Sequence, residues 1–389
     1  LLPTFAVADS ALTRRLTMSD LVCACSGIPY DNLGTELEFA AMTADQAMAR
    51  MSSLAPVAGY RETYQYSNAM LAAGGFIAAH ALFPDQPMGA AYRRTMQTRL
   101  FDRLGMTSTT FDAAAAGRAG RASPHDRTTG DRLVSTAIAA SDWTAPLEPA
   151  WGAWSSVHDL AQVLLLELAS GRTPGGGRLL SRANLMARRV PRGRAGDRQR
   201  YGLGLVLERY HGVDVLAHEG GVWGYSADFF VLPEHDVGAV VLWNVDYTTP
   251  FNGAVLRRKL FELLFDGRDE AREDLAYRVR AQKADFARRM RGVELQPDRA
   301  WLTRVAGTYR HPLHGTITVG EQNGRAVVDV GEWQSQLGRK REVDGTWKLV
   351  FTSPPWVTFG ALVPREASGR RTLQLDAQTG PIVTFEEVH

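Results

Sequence analysis

No stretch of about 18 uninterrupted apolar residues occurs in this chain of 389, so no membrane-spanning helix is expected. Neither sign of charge is in excess. Forty-four Lys and Arg against 42 Asp and Glu leave a net charge of +2, which gives no electrostatic case for nucleic acid. The locally basic run from Arg188 to Arg200 is broken by Gly and Pro and reads as a solvated loop. Only two cysteines are present, Cys23 and Cys25. Two residues apart, they are poorly placed to bridge each other, and two thiols are too few for a structural zinc site. They read as small buried thiols beside a turn. His311-Pro312-Leu313-His314 has no third ligand nearby, so no metal is expected. The Gly-x-Ser-x-Gly elbow is missing, as are both glycine-rich phosphate loops, and no cofactor is implied. Nor is there a Ser-x-x-Lys, the spacing that sets an amine beside a nucleophilic hydroxyl. The first residue is Leu, and Leu1-Leu2-Pro3 reads as the interior of a longer protein.

What is present is an ordinary globular composition, 45% hydrophobic, at a length that usually makes two domains. Helix signals surround Thr17 to Leu21, before a turn at Ser26-Gly27-Ile28-Pro29. They recur from Ala41 to Leu54, and from Asn68 to His80, where Gly74 and Gly75 permit close approach. Gly89 to Leu104 is amphipathic and ends at Gly105, a usual C-cap. Phe111 to Ser141 lacks periodicity and reads as a long surface loop. Ser155 or Ser156 caps an apolar helix from Asp159 to Ala169.

From Tyr201 the period changes to two. Tyr201 to Glu208, Val213 to His218, Tyr225 to Leu232 and Val237 to Trp243 read as sequential antiparallel strands, followed by a helix from Phe251 to Phe265. Helices before a meandering sheet argue an α+β fold. Arg268 to Arg291 is dense in charge and predicted helical. From Trp301 the texture is all-β, with strands near Tyr309, Ile317, Val328, Leu349 and Leu373 and turns at Asn323-Gly324 and Asp344-Gly345, as in a small barrel. The expected division is 1–266 for the first domain, 267–299 for a charged helical linker, and 300–389 for the barrel.

Two short patterns carry chemistry. Tyr66-Ser67-Asn68 sets a phenol and an amide two residues apart at the start of a helix. A phenol acts as a base only where a neighbouring cation lowers its pKa from about 10. His218-Glu219-Gly220-Gly221 ends an apolar strand with an imidazole and two glycines. Glycines there let a substrate lie against the strand edge, and let a backbone N–H face a developing oxyanion.

Together these segments resemble the serine β-lactamase-like and penicillin-binding-protein-like hydrolases, in the class C-related group that includes esterases and D-aminopeptidases. The resemblance runs in family order over Leu1 to Phe265. It includes Leu16 to Pro29, with Ala24 where the family usually has His, and Tyr66-Ser67-Asn68. Leu104-Gly105-Met106-Thr107-Ser108-Thr109, Trp151 to Leu160, Tyr201-Gly202-Leu203-Gly204, His218 to Tyr225, and Asn244 with Asp246 complete it. Trp301 to His389 resembles the lipocalin-like domain appended to some members.

The resemblance implies an antiparallel sheet flanked by helices and a small all-β barrel. It also implies an acyl-enzyme reaction on an amide, peptide or ester of a small-molecule or peptide substrate. In it Tyr66 would be the acid/base, Asn68 an orienter of substrate and lysine, and His218 a substrate binder, with Glu219 and Gly220 beside the substrate. The Gly221 N–H would be half of the oxyanion hole. His-x-Gly in place of Lys-Thr-Gly fits esterases and D-aminopeptidases better than true β-lactamases. The Ser-x-x-Lys would lie upstream of Leu1, leaving this stretch inactive by itself and with an apolar face open. A periplasmic or secreted address is the family's expectation. The competing reading is a non-catalytic binding module that keeps the cleft.

Overall fold

The computed structural model describes residues 2–37, 42–137, 144–245, 253–367, 369–377 and 380–388. The first part is helical. Asn68–Leu82 is its buried centre, with Ala72, Ala73, Phe76 and Ala79 excluded from water. It packs on Met88–Met96 and on the short helix Met18–Val22. The amphipathic segment predicted from Gly89 runs as Met88–Met96, a π turn at Gln97–Phe101, and a last turn closed by left-handed Gly105. Gly27 turns the chain at φ +80°, and a Cβ there would lie 2.2 Å from the Ala58 carbonyl oxygen, so the turn at Ser26-Gly27-Ile28-Pro29 requires glycine.

Cys23 and Cys25 are not the separate thiols their spacing suggests: they are joined as a disulfide. Ala24 between them is left-handed, φ 51°, and this folds the three residues until the two Cα atoms are 5.2 Å apart. The predicted loop after Phe111 also contains structure. Asp112 caps a helix at Ala113–Arg118 by accepting from the N–H groups of Ala114 and Ala115, and β1 (His125–Arg127) pairs with β2 (Leu133–Ser135). Its end, 138–141, lies outside the described residues.

The sheet follows in chain order: β3 (Gly193–Arg194), β4 (Gln199–Tyr201), β5 (Val206–Tyr210), β6 (Val213–Val222), β7 (Tyr225–Leu232) and β8 (Val237–Trp243), each antiparallel to the next. Alternation along β6 buries both faces. Val215 and Ala217 pack with Phe230 and Leu232 against Phe261 of helix Gly253–Leu264. Leu216 packs with Val231 against Leu164 of helix Val157–Leu168.

Helix Ala271–Met290 leads to β9 (Val293–Glu294) and to a barrel. Its strands are β10 (Gly307–His311), β11 (Gly315–Gln322), β12 (Arg325–Asp329), β13 (Gln334–Arg341), β14 (Trp347–Phe351), β15 (Gly360–Ala367), β16 (Arg370–Ala377) and β17 (Val383–Val388). β10 pairs with β17 and β12 with β13, which closes eight strands, and β9 adds to β13. Ile317 and Val319 point inward and Thr316 and Thr318 outward, so period-2 patterning fills the interior. The α+β class and the appended barrel are as expected.

Candidate active site

A cleft of about 1220 Å³ lies where the helical part meets the end of β6, and Tyr66, Asn68, His218, Glu219, Gly220 and Gly221 all border it. Tyr66 directly precedes Ser67, the N-cap of the buried helix, so the helix start fixes its ring. That ring lies 6.2 Å from the His218 imidazole, 6.1 Å from Tyr30 and 6.1 Å from Tyr201. Burial first, and then the nearby Tyr64 and Tyr30, push the Tyr66 hydroxyl well above the ordinary phenol range. It is therefore a protonated group that can donate. Asn68, 4% exposed, gives its Nδ2–H to Asn32 Oδ1 at 3.3 Å.

His218 has both ring nitrogens engaged. Nδ1 lies 2.7 Å from the Glu219 carbonyl, which can only accept, so Nδ1 carries the proton. Nε2 then accepts from the Tyr201 hydroxyl at 2.9 Å. Burial lowers the His218 pKa, against the Glu219 carbonyl bond, which favours the cation. The ring is thus neutral, in one tautomer, at pH 7. Tyr201, fully buried, is named in the sequence only as the first residue of Tyr201-Gly202-Leu203-Gly204, with no role of its own. Its Tyr-Gly-Leu-Gly pattern marked a strand, and only the pairing of β4 through β5 to β6 brings it to His218.

Strand alternation sends Glu219 to the opposite face from His218. There its carboxylate meets Arg257 Nη2 at 2.6 Å, and Arg257 Nε lies 3.3 Å from Asp228 Oδ2. Asp228, opposite Glu219 in the register, is 1% exposed. Burial raises its pKa to about 6, with Arg257 opposing and Glu219 reinforcing the shift. Gly220 and Gly221 are exposed at the end of β6, leaving backbone open to the cleft.

The remaining motif segments frame the cleft. Asp159, near the start of helix Val157–Leu168, accepts from the Ser108 N–H at 2.7 Å and the Thr109 hydroxyl at 2.8 Å. This bonds the Leu-Gly-Met turn to the helix capped by Ser156. Asn244 donates to the Ser123 carbonyl at 2.9 Å, and Tyr225 to that of Ala122 at 2.6 Å, which holds the 121–125 segment over the β6–β7 turn. A Cβ on Gly224 in that turn, φ +78°, would lie 2.3 Å from Pro124. Asp246 lies outside the described residues. Trp151 and Trp154, both within the Trp151 to Leu160 segment, and Trp243, at the end of β8, also line the cleft.

No lysine is among the described residues lining the cleft. The chain has four, Lys259, Lys283, Lys340 and Lys348. Lys259 is bound to Glu262 and Asp269, Lys340 to the carbonyls of Arg288 and Arg289, and Lys348 to Glu342. Among the described residues, three metal-ligating side chains converge only at Asp20, Cys23 and Cys25. The two sulfurs there are joined, and Asp20 accepts from Thr17, Tyr60 and Arg61.

Residues 2–263, about two thirds of the chain, match the Beta-lactamase family. The chain belongs to that family. Its fold is shared with the octameric penicillin-binding protein homologue from Pyrococcus abyssi (TM-score 0.54, 16% identity, 96% of this chain and 78% of that one). The penicillin-binding protein from Bacillus halodurans is also similar (TM-score 0.52, 16% identity, 68% and 77%). So is the D-amino acid amidase from Ochrobactrum anthropi SV3 complexed with L-phenylalanine amide (TM-score 0.50, 17% identity, 71% and 74%). In sequence, 62 residues are 37% identical to the Unguisins hydrolase ungD of Aspergillus violaceofuscus (strain CBS 115571), 16% of this chain and 11% of that protein. The chain thus spans about a tenth of that curated relative. It has the fold of a family of hydrolases, and no helix among the described residues is long and apolar enough to cross a membrane.

Proposed function

We propose that this Beta-lactamase family cleft binds the carbonyl of an amide, peptide or ester, and that the 389 residues by themselves do not acylate. The observation that carries both halves is the meeting of Tyr66 and His218 beside the open Gly220-Gly221 edge, in a cleft with no lysine among the described residues that line it. In this reading Tyr66 is the proton donor, Asn68 the amide that orients substrate, and the Gly221 N–H one oxyanion donor. His218 is a neutral wall fixed by Tyr201, and Glu219 and Gly220 complete the edge along which the substrate lies.

What is missing is a base. With no cation beside Tyr66 among the described residues, burial keeps the phenol protonated, so it cannot take a proton from a serine. Loss of the nucleophile alone costs a serine hydrolase roughly a millionfold in turnover. The deciding experiment is mass spectrometry after incubation with a fluorophosphonate and with a penicillin, alongside titration with phenylalanine amide followed by tryptophan fluorescence. The expected result is saturable amide binding with the protein mass unchanged. Stoichiometric acylation of any serine would overturn the proposal.

A further inference from the structure

The barrel ends against the cleft. Pro355 and Phe359, in the segment between β14 and β15, border it together with Tyr30, Glu36 and Trp223. Trp223 sits in the β6–β7 turn, two residues beyond Gly221. Its ring meets Trp356 edge-on at 3.8 Å and Phe359 at 5.9 Å, and Trp356 stacks on Trp333 at 3.8 Å and 17°. Three barrel rings therefore hold the turn that follows the glycine pair.

A second connection reaches the other side of the site. Leu37, 1% exposed, lies within the barrel's own core, and the Trp333 indole N–H donates to the Glu36 carbonyl at 2.8 Å. The segment that plugs the barrel in this way also carries Tyr30, packed on Tyr66, and Asn32, which accepts from Asn68. Both halves of the candidate site are thus tied, within a few residues, to the same end of the barrel.

We infer that the barrel is the specificity-determining wall of this cleft. Phe359 and Pro355 contact a large uncharged substituent of the bound amide or ester, aromatic or branched aliphatic, while Trp333 and Trp356 act as positioning residues through Trp223. The chemistry of the wall sets the ligand class. Tyr30, Trp223, Pro355 and Phe359 present rings and hydrocarbon to the ligand. A brace would need only to cover its own apolar surface, whereas Phe359 is shared between the barrel core and the cleft. The inference rests on the carbonyl-binding reading of the cleft given above.

The test is a fluorescence titration of the full chain with phenylalanine amide and with alanine amide. It is repeated for Phe359→Ala, Phe359→Leu and Trp333→Phe, with hydrogen exchange measured on each. The unaltered chain is expected to prefer phenylalanine amide. Phe359→Leu, which keeps most of the core volume, should lower that preference about three- to tenfold, with alanine amide unchanged, as expected for one lost aromatic contact. Trp333→Phe keeps the stack but loses the indole N–H. It should weaken both ligands and speed exchange in 30–37 and 220–224.

An unchanged ligand preference in Phe359→Leu overturns the barrel's role while leaving the carbonyl-binding reading standing. Unchanged exchange in Trp333→Phe overturns the positioning role. If the unaltered chain binds neither amide, the reading of the cleft itself fails and this inference falls with it. Should Phe359→Ala unfold, the leucine variant decides.

Discussion

His218 is held neutral by one acceptor and one donor, and that pairing sets what a single substitution should do. The Tyr201 hydroxyl donates to Nε2 and so stabilises the uncharged ring. Tyr201→Phe removes that bond, at a cost of about 1 kcal/mol, and should move the His218 pKa upward; ring nitrogen shifts across a pH titration measure it. His314 in the barrel is a second depressed histidine, buried to 6% exposure and lowered to about 3 by burial and the neighbouring His311 and Arg50. For both histidines the unfolded chain takes up a proton near 6.5 and the folded one does not. Their contribution is complete above that pH and is lost as pH falls toward the folded value. Asp228 runs the other way: folded, it keeps its proton up to about 6, so its contribution is largest below 3.8 and fades as pH rises through about 6. Melting temperatures at pH 7.5 and 5 should fall less for His314→Gln than for the unaltered chain, and an equal fall would refute the assignment. Tyr66, Asn68, His218 and the glycine pair were visible in the sequence because each sits in a local pattern. Tyr201, Asn32 and Arg257 were not, because their roles depend on strands and helices brought together from distant positions.

Asp159 joins two elements that the sequence presents as separate motifs. Its carboxylate satisfies the Ser108 N–H and the Thr109 hydroxyl while its own N–H is capped by Ser156. Asp159→Ala removes the acceptor of the Ser108 N–H and one of two partners of the buried Thr109 hydroxyl, which also meets Ser155 Oγ at 2.7 Å, and should lower stability by roughly 1–2 kcal/mol. Thermal unfolding measures this, and a shift inside error would show that water replaces the carboxylate. The Cys23–Cys25 loop spans only three residues, so little chain entropy is removed, and Cys23→Ser with Cys25→Ser should cost less than about 2 kcal/mol. The carbonyls of Ala24 and Cys25 accept from the N–H groups of Gln65 and Arg61, so the strand-like approach to Tyr66 rests on this turn. Thiol titration of the denatured, unreduced chain should find no free cysteine. The strands were legible because alternation is a strong local signal. The helix Ala113–Arg118 was not, since four alanines and a glycine carry no apolar period and only Asp112 marks their start. The disulfide was missed because a left-handed alanine cannot be anticipated from its neighbours.

At the scale of the whole molecule, two features stand out: one sheet edge is open and the barrel is locked in. Among the described residues β8 pairs on one side only, and Leu242, Val157 and Leu165 on and beside it are 36%, 51% and 47% exposed. Such an edge promotes self-association. Leu165→Lys with Leu242→Lys should reduce light scattering at high concentration, and unchanged scattering would place the contact elsewhere. The likeness to the Pyrococcus abyssi protein covers 96% of this chain, so it extends over the barrel as well as the family region. Sequence texture places an expected boundary between the two parts at about residue 300, because the change of period there is abrupt. It could not show how they meet, since Leu37 reads as one more apolar residue in the helical part. Seated inside the barrel, that single side chain makes the two parts each other's lid. Expressed without residues 300–389, the remainder would present Leu37 and Trp223 to water, and the barrel alone would have an uncorked end. Heating should therefore produce one shared transition, with neither part outliving the other.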